Sequence, residues 1–172
     1  MLSGIKIRQL IDGGAIKIEP FDDILVRENG VDMRIGDEIA VLLNNPEPID
    51  PENLTKTNLN EYYKIVKLDG DFVLQPYMKI LATTLEYIEL PANIGAFVEL
   101  RSTFARLGLS IPPTIIDAGF KGQITLEIHG GAFPVKLKKG LRFAHIVFLP
   151  IIGEPIPYRG KYSGQRGVTL PK

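Results

Sequence analysis

Residues 101–128 form the most informative stretch of the sequence, which reads RSTFARLGLSIPPTIIDAGFKGQITLEI. Apolar and polar side chains alternate at its end, so residues 122–128 are predicted to form a strand with one face toward a core. Residues 103–107 fit one or two helical turns. Gly and Pro between these segments are typical of turns. The stretch therefore predicts short elements of a mainly β structure, with polar side chains set among them.

The rest of the chain repeats this organisation. Residues 4–14 predict a short amphipathic helix that ends at Gly13-Gly14. Further strands are predicted at 16–18, 31–35, 39–43, 62–68, 72–74, 79–89, 96–100, 134–137 and 143–149. Asp69-Gly70 predicts a hairpin turn, and residues 44–60, which hold three prolines, predict a surface loop. Many short strands of this kind indicate an all-β barrel or a double-sheet roll with helical additions.

The composition narrows the class of protein. The 172 residues suit a single domain, 1–172, and 20 basic residues balance 20 acidic ones. A neutral chain argues against a general nucleic-acid or membrane-surface binder. There is no cysteine, no apolar run of membrane-spanning length and no pattern of a signal peptide, so we expect a cytoplasmic protein.

Candidate site residues are concentrated in the stretch 101–128. Arg101, Ser102, Thr103 and Arg106 supply two guanidiniums and two hydroxyls, which suit phosphate binding and the orientation of a water molecule. A solvated turn with a capping hydroxyl explains them equally well. Asp117 fits a turn aspartate as well as a ligand-binding one. Glu127 shares a strand face with Thr125, and that face meets either solvent or a pocket.

Several kinds of site are missing from the sequence. Zinc-dependent nucleobase deaminases need ligands of the H-x-E…P-C-x-x-C kind, whereas this chain has no cysteine and only two histidines, His129 and His145. The glycine fingerprints of P-loop and dinucleotide-binding proteins are absent as well.

Four motifs in the same order resemble those of the dCTP deaminase family, a branch of the dUTPase-like superfamily, in an archaeal-type form. Residues 29–36, NGVDMRIG, resemble the family's D-x-R-x-G strand, and residues 101–106, RSTFAR, resemble its R-S-S-x-A-R motif. The third motif has two parts, IDAGF at residues 116–120 and TLE at residues 125–127. Residues 158–165, YRGKYSGQ, resemble the family's C-terminal nucleotide-binding segment.

The resemblance implies a mainly β, dUTPase-like distorted β-barrel, or double-sheet roll, with short helices. It implies a homotrimer with active sites between subunits, in which residues 157–172 form a tail that closes over the nucleotide. The implied reaction is hydrolytic deamination of dCTP to dUTP and ammonia without zinc, which supplies dUTP or dUMP for thymidylate synthesis. Mg²⁺ is expected on the triphosphate, held mainly by phosphate oxygens and water. The nucleotide dTTP is expected as an inhibitor.

The same resemblance assigns roles to residues of this sequence. Glu127 matches the catalytic glutamate, and Ser102 and Arg106 match its supporting hydroxyl and cation. Asp117 matches the aspartate that holds the deoxyribose. The remaining residues of the expected substrate-binding set are Arg101, Thr103, Thr125 and the tail residues Tyr158, Lys161 and Gln165.

One loop departs from the family pattern and leaves alternatives open. Residues 107–116 are about two residues shorter than in the bacterial pattern, and Pro112-Pro113 removes two N–H donors there. The backbone acceptor for the reactive water and the inhibition by dTTP are therefore both open.

A dUTPase, a bifunctional enzyme that releases dUMP and pyrophosphate, and a non-catalytic nucleotide-binding module remain as alternatives. A dUTPase would not need the carboxylate of Glu127.

Overall fold

The computed structural model describes residues 1–172, which form eleven strands, two α-helices and three short 3-10 helices. The helices are α1 (Gly4–Asp12) and α2 (Ser102–Arg106). The strands are β1 (Lys17–Glu19), β2 (Val26–Arg27), β3 (Gly30–Leu42), β4 (Tyr63–Lys67), β5 (Phe72–Leu74), β6 (Lys79–Glu89), β7 (Ile94–Leu100), β8 (Thr114–Ile116), β9 (Lys121–His129), β10 (Val135–Leu137) and β11 (Arg142–Pro150).

Strand β3 joins the two halves of the main sheet. The strand order is β1-β6-β3-β11-β7-β8, with β2 and β4 also paired to β3 and β9 paired to β6. The first part of β3 pairs with β11 and its second part with β6 and β4, and the register with β6 shifts between Ile35 and Ile39. A Cβ at Gly36 would lie 2.6 Å from Cγ2 of Thr83, so glycine is needed where β3 changes partners.

A second irregularity fixes the position of strand β9. The β6–β9 ladder is interrupted between Thr83 and Tyr87, and the buried Thr84 hydroxyl accepts a hydrogen bond from the Ile124 N–H at 2.9 Å. The side-chain amide of Gln123 donates to the carbonyls of Thr84 and Leu85 at 2.9 and 3.2 Å. These bonds replace the missing ladder bonds, because buried backbone groups need partners.

The core lies inside the rolled sheet. Alternate residues of β9 are buried, and Phe143, Ile146 and Phe148 of β11 are at most 1% exposed. Burial of a side chain of this size contributes about 1.5–3 kcal/mol of transfer free energy. The only fully buried carboxylate is that of Glu86, which accepts hydrogen bonds from the backbone N–H and the Nε of Arg34 at 2.8 and 2.5 Å. Burial raises the pKa of Glu86, and its bonds to Arg34 oppose that rise.

Most of the predicted elements are confirmed. The helix at 4–14 is α1, the helical turns at 103–107 correspond to α2, and the strands at 79–89, 122–128, 134–137 and 143–149 are present within two residues. The predicted strands 31–35 and 39–43 are one continuous strand, β3, and the short strands β2 and β8 were not predicted. The mainly β, rolled sheet with two short helices confirms the predicted fold class.

One prediction about strand pairing is wrong. Asp69-Gly70 does not close a hairpin, because β4 pairs with β3 while β5 pairs with β10. The tail, which was expected to be either disordered or ordered by a ligand or a neighbouring subunit, lies against its own subunit, where Gln165 forms a parallel bridge with Gly122. Neither α-helix has the length and apolar character that crossing a membrane requires.

Candidate active site

A pocket with a volume of about 400 Å³ lies between β9, the turn after β8 and the tail. Of the predicted substrate-binding residues, Asp117, Thr125, Tyr158 and Gln165 line it. The remaining lining residues are Leu81, Thr114, Ile115, Ile116, Phe120, Ile124, Tyr162, Thr169 and Pro171. The pocket therefore offers an apolar surface with a few polar groups, as small-molecule sites do.

The turn after β8 presents Asp117 to this pocket. The Phe120 N–H donates to the Asp117 carbonyl at 3.1 Å, and Gly119 between them has φ +82°. A Cβ at Gly119 would lie 2.9 Å from Pro157, so this turn needs glycine both for its conformation and for close contact with the tail. The Tyr158 N–H donates to the Ala118 carbonyl at 2.8 Å and attaches the start of the tail to the turn.

The end of the tail lies along strand β9. The Thr169 N–H donates to Oγ1 of Thr125 at 3.1 Å, and the Val168 N–H donates to Oε2 of Glu38 at 3.3 Å. Lys161, one of the predicted substrate-binding residues, donates through Nζ to the backbone carbonyl of Lys172. Thr125 and Lys161, both expected to contact substrate, thus have intramolecular partners in this conformation.

Aromatic side chains cover one wall of the pocket. The rings of Phe120 and Tyr158 lie with centroids 5.8 Å apart and tilted by 55°. The ammonium groups of Lys161 and Lys172 lie 5.4 and 5.9 Å from the ring centroid of Tyr162. Tyr162 and Phe120 were not predicted as site residues. The aromatic character of the YRGKYSGQ segment was the available signal for Tyr162.

Glu127 lies beside the pocket, on the same face of β9 as Thr125. Its Oε1 is 2.6 Å from Nε2 of His129 and 4.0 Å from Nζ of Lys79, and its side chain is 38% exposed. Burial raises the pKa of Tyr63, and the negative charge of Glu127 raises it further. This face of β9 was expected to meet either solvent or a pocket. It borders the pocket, and three ionisable residues, His129, Lys79 and Tyr63, surround Glu127.

The α2 segment stands apart from this pocket within one subunit. Ser102, Thr103 and Arg106 are exposed, line no part of the pocket and make no side-chain hydrogen bond or ion pair with the rest of the chain. The structure therefore brings Asp117, Thr125, Tyr158 and Gln165 together, with Glu127 adjacent, but leaves the hydroxyls and the guanidinium of α2 facing solvent.

Arg101 belongs to a cluster of charges that sequence reasoning missed. Asp32, whose side chain is 3% exposed, lies 3.3 Å from Nε of Arg101, 3.6 Å from Nη1 of Arg142 and 3.0 Å from Nδ1 of His145. Nη1 of Arg101 also donates to the carbonyl of Arg142 at 3.2 Å. Asp32 lies in the D-x-R-x-G-like motif, which was the signal for it. No three side chains of His, Asp or Glu are placed together as ligands for a metal ion.

The altered loop is attached to the strand that carries Glu127. The His129 N–H donates to the Ser110 carbonyl at 2.9 Å, and the Ser110 N–H donates to the His129 carbonyl at 3.2 Å. Beyond this bridge, the Thr114 hydroxyl donates to the carbonyl of Pro112 at 3.0 Å. The loop that contains Pro112-Pro113 is thus attached to β9 at Ser110 and leads directly into β8 at Thr114.

Comparisons with known proteins place this geometry in a family. The family model described as dCTP deaminase-like matches residues 1–151. A dCTP deaminase of Sulfurisphaera tokodaii is 52% identical over 168 residues, which cover 96% of this chain and 88% of that protein. The crystal structure of the 2'-deoxycytidine 5'-triphosphate deaminase from Agrobacterium tumefaciens matches with a TM-score of 0.69 and 26% identity.

The match to the Agrobacterium enzyme covers 86% of this chain and 45% of that one, so this protein spans less than half of its length. A variant of the dUTPase of Staphylococcus bacteriophage 80alpha shares the fold with a TM-score of 0.51 and 14% identity, covering 87% of this chain and 98% of that one. Since the family model spans most of the chain and the Sulfurisphaera relative is more than half identical, this protein belongs to the dCTP deaminase family.

Proposed function

We propose that this protein deaminates dCTP to dUTP and ammonia, with Glu127 as the group that moves protons. The observation that carries the proposal is the shared face of β9, on which Thr125 lines the pocket and Glu127 follows two residues later at its rim. A nucleotide in the pocket, with its sugar beside Asp117, can extend its base along this face. The carboxylate of Glu127 is then within reach of the pyrimidine.

The chemistry needs one group that accepts and then donates a proton. Water adds to C4 of cytosine as its proton passes to the carboxylate, and the carboxylic acid passes that proton to N3. The second proton of the water reaches the amino group, the C4–N bond breaks, and ammonia leaves as the C4 carbonyl forms. A carboxylate at hydrogen-bond distance suits both steps without a zinc ion. Mg²⁺ is expected to arrive with the triphosphate, because no cluster of acidic side chains is placed to hold it.

We propose further that each active site is shared between subunits of a homotrimer. Ser102 and Arg106, the proposed water-orienting hydroxyl and supporting cation, face solvent within one subunit. Phe97 and Ile115 are opposite each other on β7 and β8 and are 40% and 66% exposed, which forms an apolar patch next to the pocket that Ile115 lines. A neighbouring copy on this patch would cover it and could bring its own α2 to the pocket.

A bifunctional enzyme that also releases pyrophosphate is the second candidate. The observation that favours it is Asp117, whose exposed carboxylate lines the pocket and has no hydrogen-bond partner in the chain. Such a carboxylate can hold the 3′-hydroxyl of the deoxyribose, or it can orient a water molecule toward the α-phosphate. We propose dUTP as the main product, because the same aspartate can serve ribose binding alone. A dUTPase without deaminase activity would leave Glu127 without a task.

The direct test is incubation of the protein with dCTP and Mg²⁺, followed by separate measurement of ammonia, dUTP, dUMP and pyrophosphate. Ammonia and dUTP in equal amounts are the expected result. Absence of ammonia from dCTP, together with pyrophosphate release in a parallel incubation with dUTP, would show a dUTPase instead. Addition of dTTP in the same assay tests whether that nucleotide inhibits the enzyme despite the altered loop.

A further inference from the structure

The side chain of His129 makes the shortest contact to the proposed catalytic carboxylate. On β9 the side chains of Gln123, Thr125, Glu127 and His129 share one face, and Nε2 of His129 lies 2.6 Å from Oε1 of Glu127. Because an ionised carboxylate only accepts hydrogen bonds, Nε2 must carry the proton in this pair. The histidine therefore donates to one oxygen of Glu127.

The backbone on both sides of His129 is fixed. Its N–H and carbonyl exchange two hydrogen bonds with Ser110, at 2.9 and 3.2 Å, and the next N–H, that of Gly130, donates to the Met78 carbonyl at 2.7 Å. The backbone that carries the ring is thereby held between Ser110 and Met78, the residue before β6. A donor held in this way restricts the carboxylate to one orientation.

The second oxygen of Glu127, Oε2, has no hydrogen-bond partner within the chain. We infer that His129 is a positioning residue that holds Oε1 so that Oε2 stays directed at the reacting groups through both proton transfers. This inference rests on the proposed role of Glu127. It adds a residue to the reaction that neither the resemblance nor the family match assigns.

If the pair of His129 and Glu127 served only the fold, loss of the imidazole would lower stability. The two side chains are 33% and 38% exposed, and polar contacts as accessible as this one contribute about 0–1 kcal/mol to stability. Loss of the imidazole should therefore leave folding nearly unchanged. The other ionisable groups that face the carboxylate are Lys79 on β6 and Tyr63 on β4, so charge effects from these elements need a separate control.

The experiment compares His129→Leu, His129→Gln and Lys79→Met by steady-state kinetics of ammonia release from dCTP and by thermal unfolding. We expect His129→Leu to lower kcat by about tenfold, a part of the 10²–10⁴-fold that acid–base catalysis provides. Its KM should change by less than about twofold, since a positioning residue acts on the transition state. His129→Gln, which keeps an N–H donor, should recover most of the loss, and the unfolding temperature of all three variants should stay close to that of the wild type.

Three results would overturn the inference. These are wild-type kcat in His129→Leu, an equal loss of kcat in Lys79→Met, or a loss in His129→Leu that His129→Gln does not relieve. Glu127→Gln in the same series separates the inference from the proposed function. If Glu127→Gln is inactive while His129→Leu is fully active, only the role of His129 fails, and if Glu127→Gln is fully active, the proposed role of Glu127 fails with it.

Discussion

Gln123 and Gln165 exchange two hydrogen bonds, from the Gln123 N–H to the Gln165 carbonyl at 3.0 Å and from the Gln165 side-chain amide to the Gln123 carbonyl at 2.7 Å. The Gly167 N–H adds a third bond at 2.7 Å to the side-chain oxygen of Gln123. The tail thus extends the β9 edge of the sheet by backbone pairing. Because Gln123 is itself fixed to β6, the tail has a rigid docking point although it contributes little to the core.

Removal of the tail should leave folding intact but weaken the binding of dCTP. Truncation after Pro157 deletes Tyr158, Lys161 and Gln165 but leaves nearly all of the core, so we expect a cooperatively folding protein. Its dissociation constant for dCTP should rise at least about tenfold, as expected if the tail supplies about 1.4 kcal/mol or more of binding free energy. Titration calorimetry with dCTP and Mg²⁺ measures this change. Unchanged affinity would show that the tail takes no part in nucleotide binding.

Substitution of the proposed proton carrier should abolish turnover but spare binding. Glu127→Gln retains size and hydrogen bonding, so ammonia release should fall by at least about 10²-fold while dCTP affinity stays within a few-fold of the wild type. Glu89→Gln on β6 is the matched control, because Glu89 pairs with Lys17 and Lys121 away from the pocket. Near-normal turnover of Glu127→Gln would exclude the mechanism.

The proposed sharing of the active site between subunits predicts complementation between two inactive variants. Arg106→Ala and Glu127→Gln should each be nearly inactive alone. In trimers assembled from an equal mixture, an intact Arg106 meets an intact Glu127 at about one site in four, so about a quarter of the wild-type activity should return. Co-expression with two affinity tags and sedimentation analysis would measure this. No recovery in verified mixed trimers, or an active monomer, would contradict the shared site.

Two glutamates of β6 should affect the pH dependence of stability in opposite directions. Burial raises the pKa of Glu86 above its ordinary value of 4.5, so its contribution to the free energy of unfolding is full below about pH 4.5 and is lost as pH rises through its folded pKa. The hydrogen bond from Lys121, with the charge of Lys17, lowers the pKa of Glu89. Its contribution is present above pH 4.5 and is lost as pH falls through its folded pKa.

Thermal unfolding of Glu86→Gln and Glu89→Gln between pH 3 and pH 8 tests both signs. The stability of the wild type relative to Glu86→Gln should fall with rising pH above about 4.5, because Glu86 then loses its proton more readily in the unfolded than in the folded protein. Relative to Glu89→Gln it should fall with decreasing pH below that value. Parallel curves for both variants would contradict the assigned shifts.

Substitution of Asp117 tests the proposed release of dUTP. If Asp117 only holds the deoxyribose, Asp117→Asn should weaken dCTP binding and pyrophosphate should be absent from both proteins. If the enzyme is bifunctional, the wild type should release pyrophosphate in step with ammonia, and this release should vanish in Asp117→Asn. We expect dUTP to accumulate. A stoichiometric pyrophosphate signal from dCTP would establish the double activity instead.

The sequence was sufficient for elements whose pattern is local. Alternation along residues 122–128 predicted β9, and it placed Thr125 and Glu127 on one face. The same alternation extends by one step to His129, which was therefore within reach of the sequence argument. The choice of strand partners could not be predicted in this way, because the Asp69-Gly70 turn signal does not indicate which strands pair with each other.

Contacts between distant residues were beyond a sequence argument for a different reason. Asp32 and Arg101 belong to separate motifs, and only the pairing of β3 with β11 and of β11 with β7 brings them to 3.3 Å. The tail is held mainly by hydrogen bonds to Gln123, Thr125 and Glu38, and it has no regular apolar face. Such bonds leave no periodicity in the sequence, so the order of the tail could not be predicted.

The continuity of β3 has a consequence for how the protein unfolds. Its first residues complete one half of the sheet and its last residues complete the other, while Glu38 also binds the tail. Neither half can lose β3 without loss of strand pairing in the other half. The rolled sheet should therefore open as a single cooperative unit, with no stable partly unfolded form that keeps one half intact.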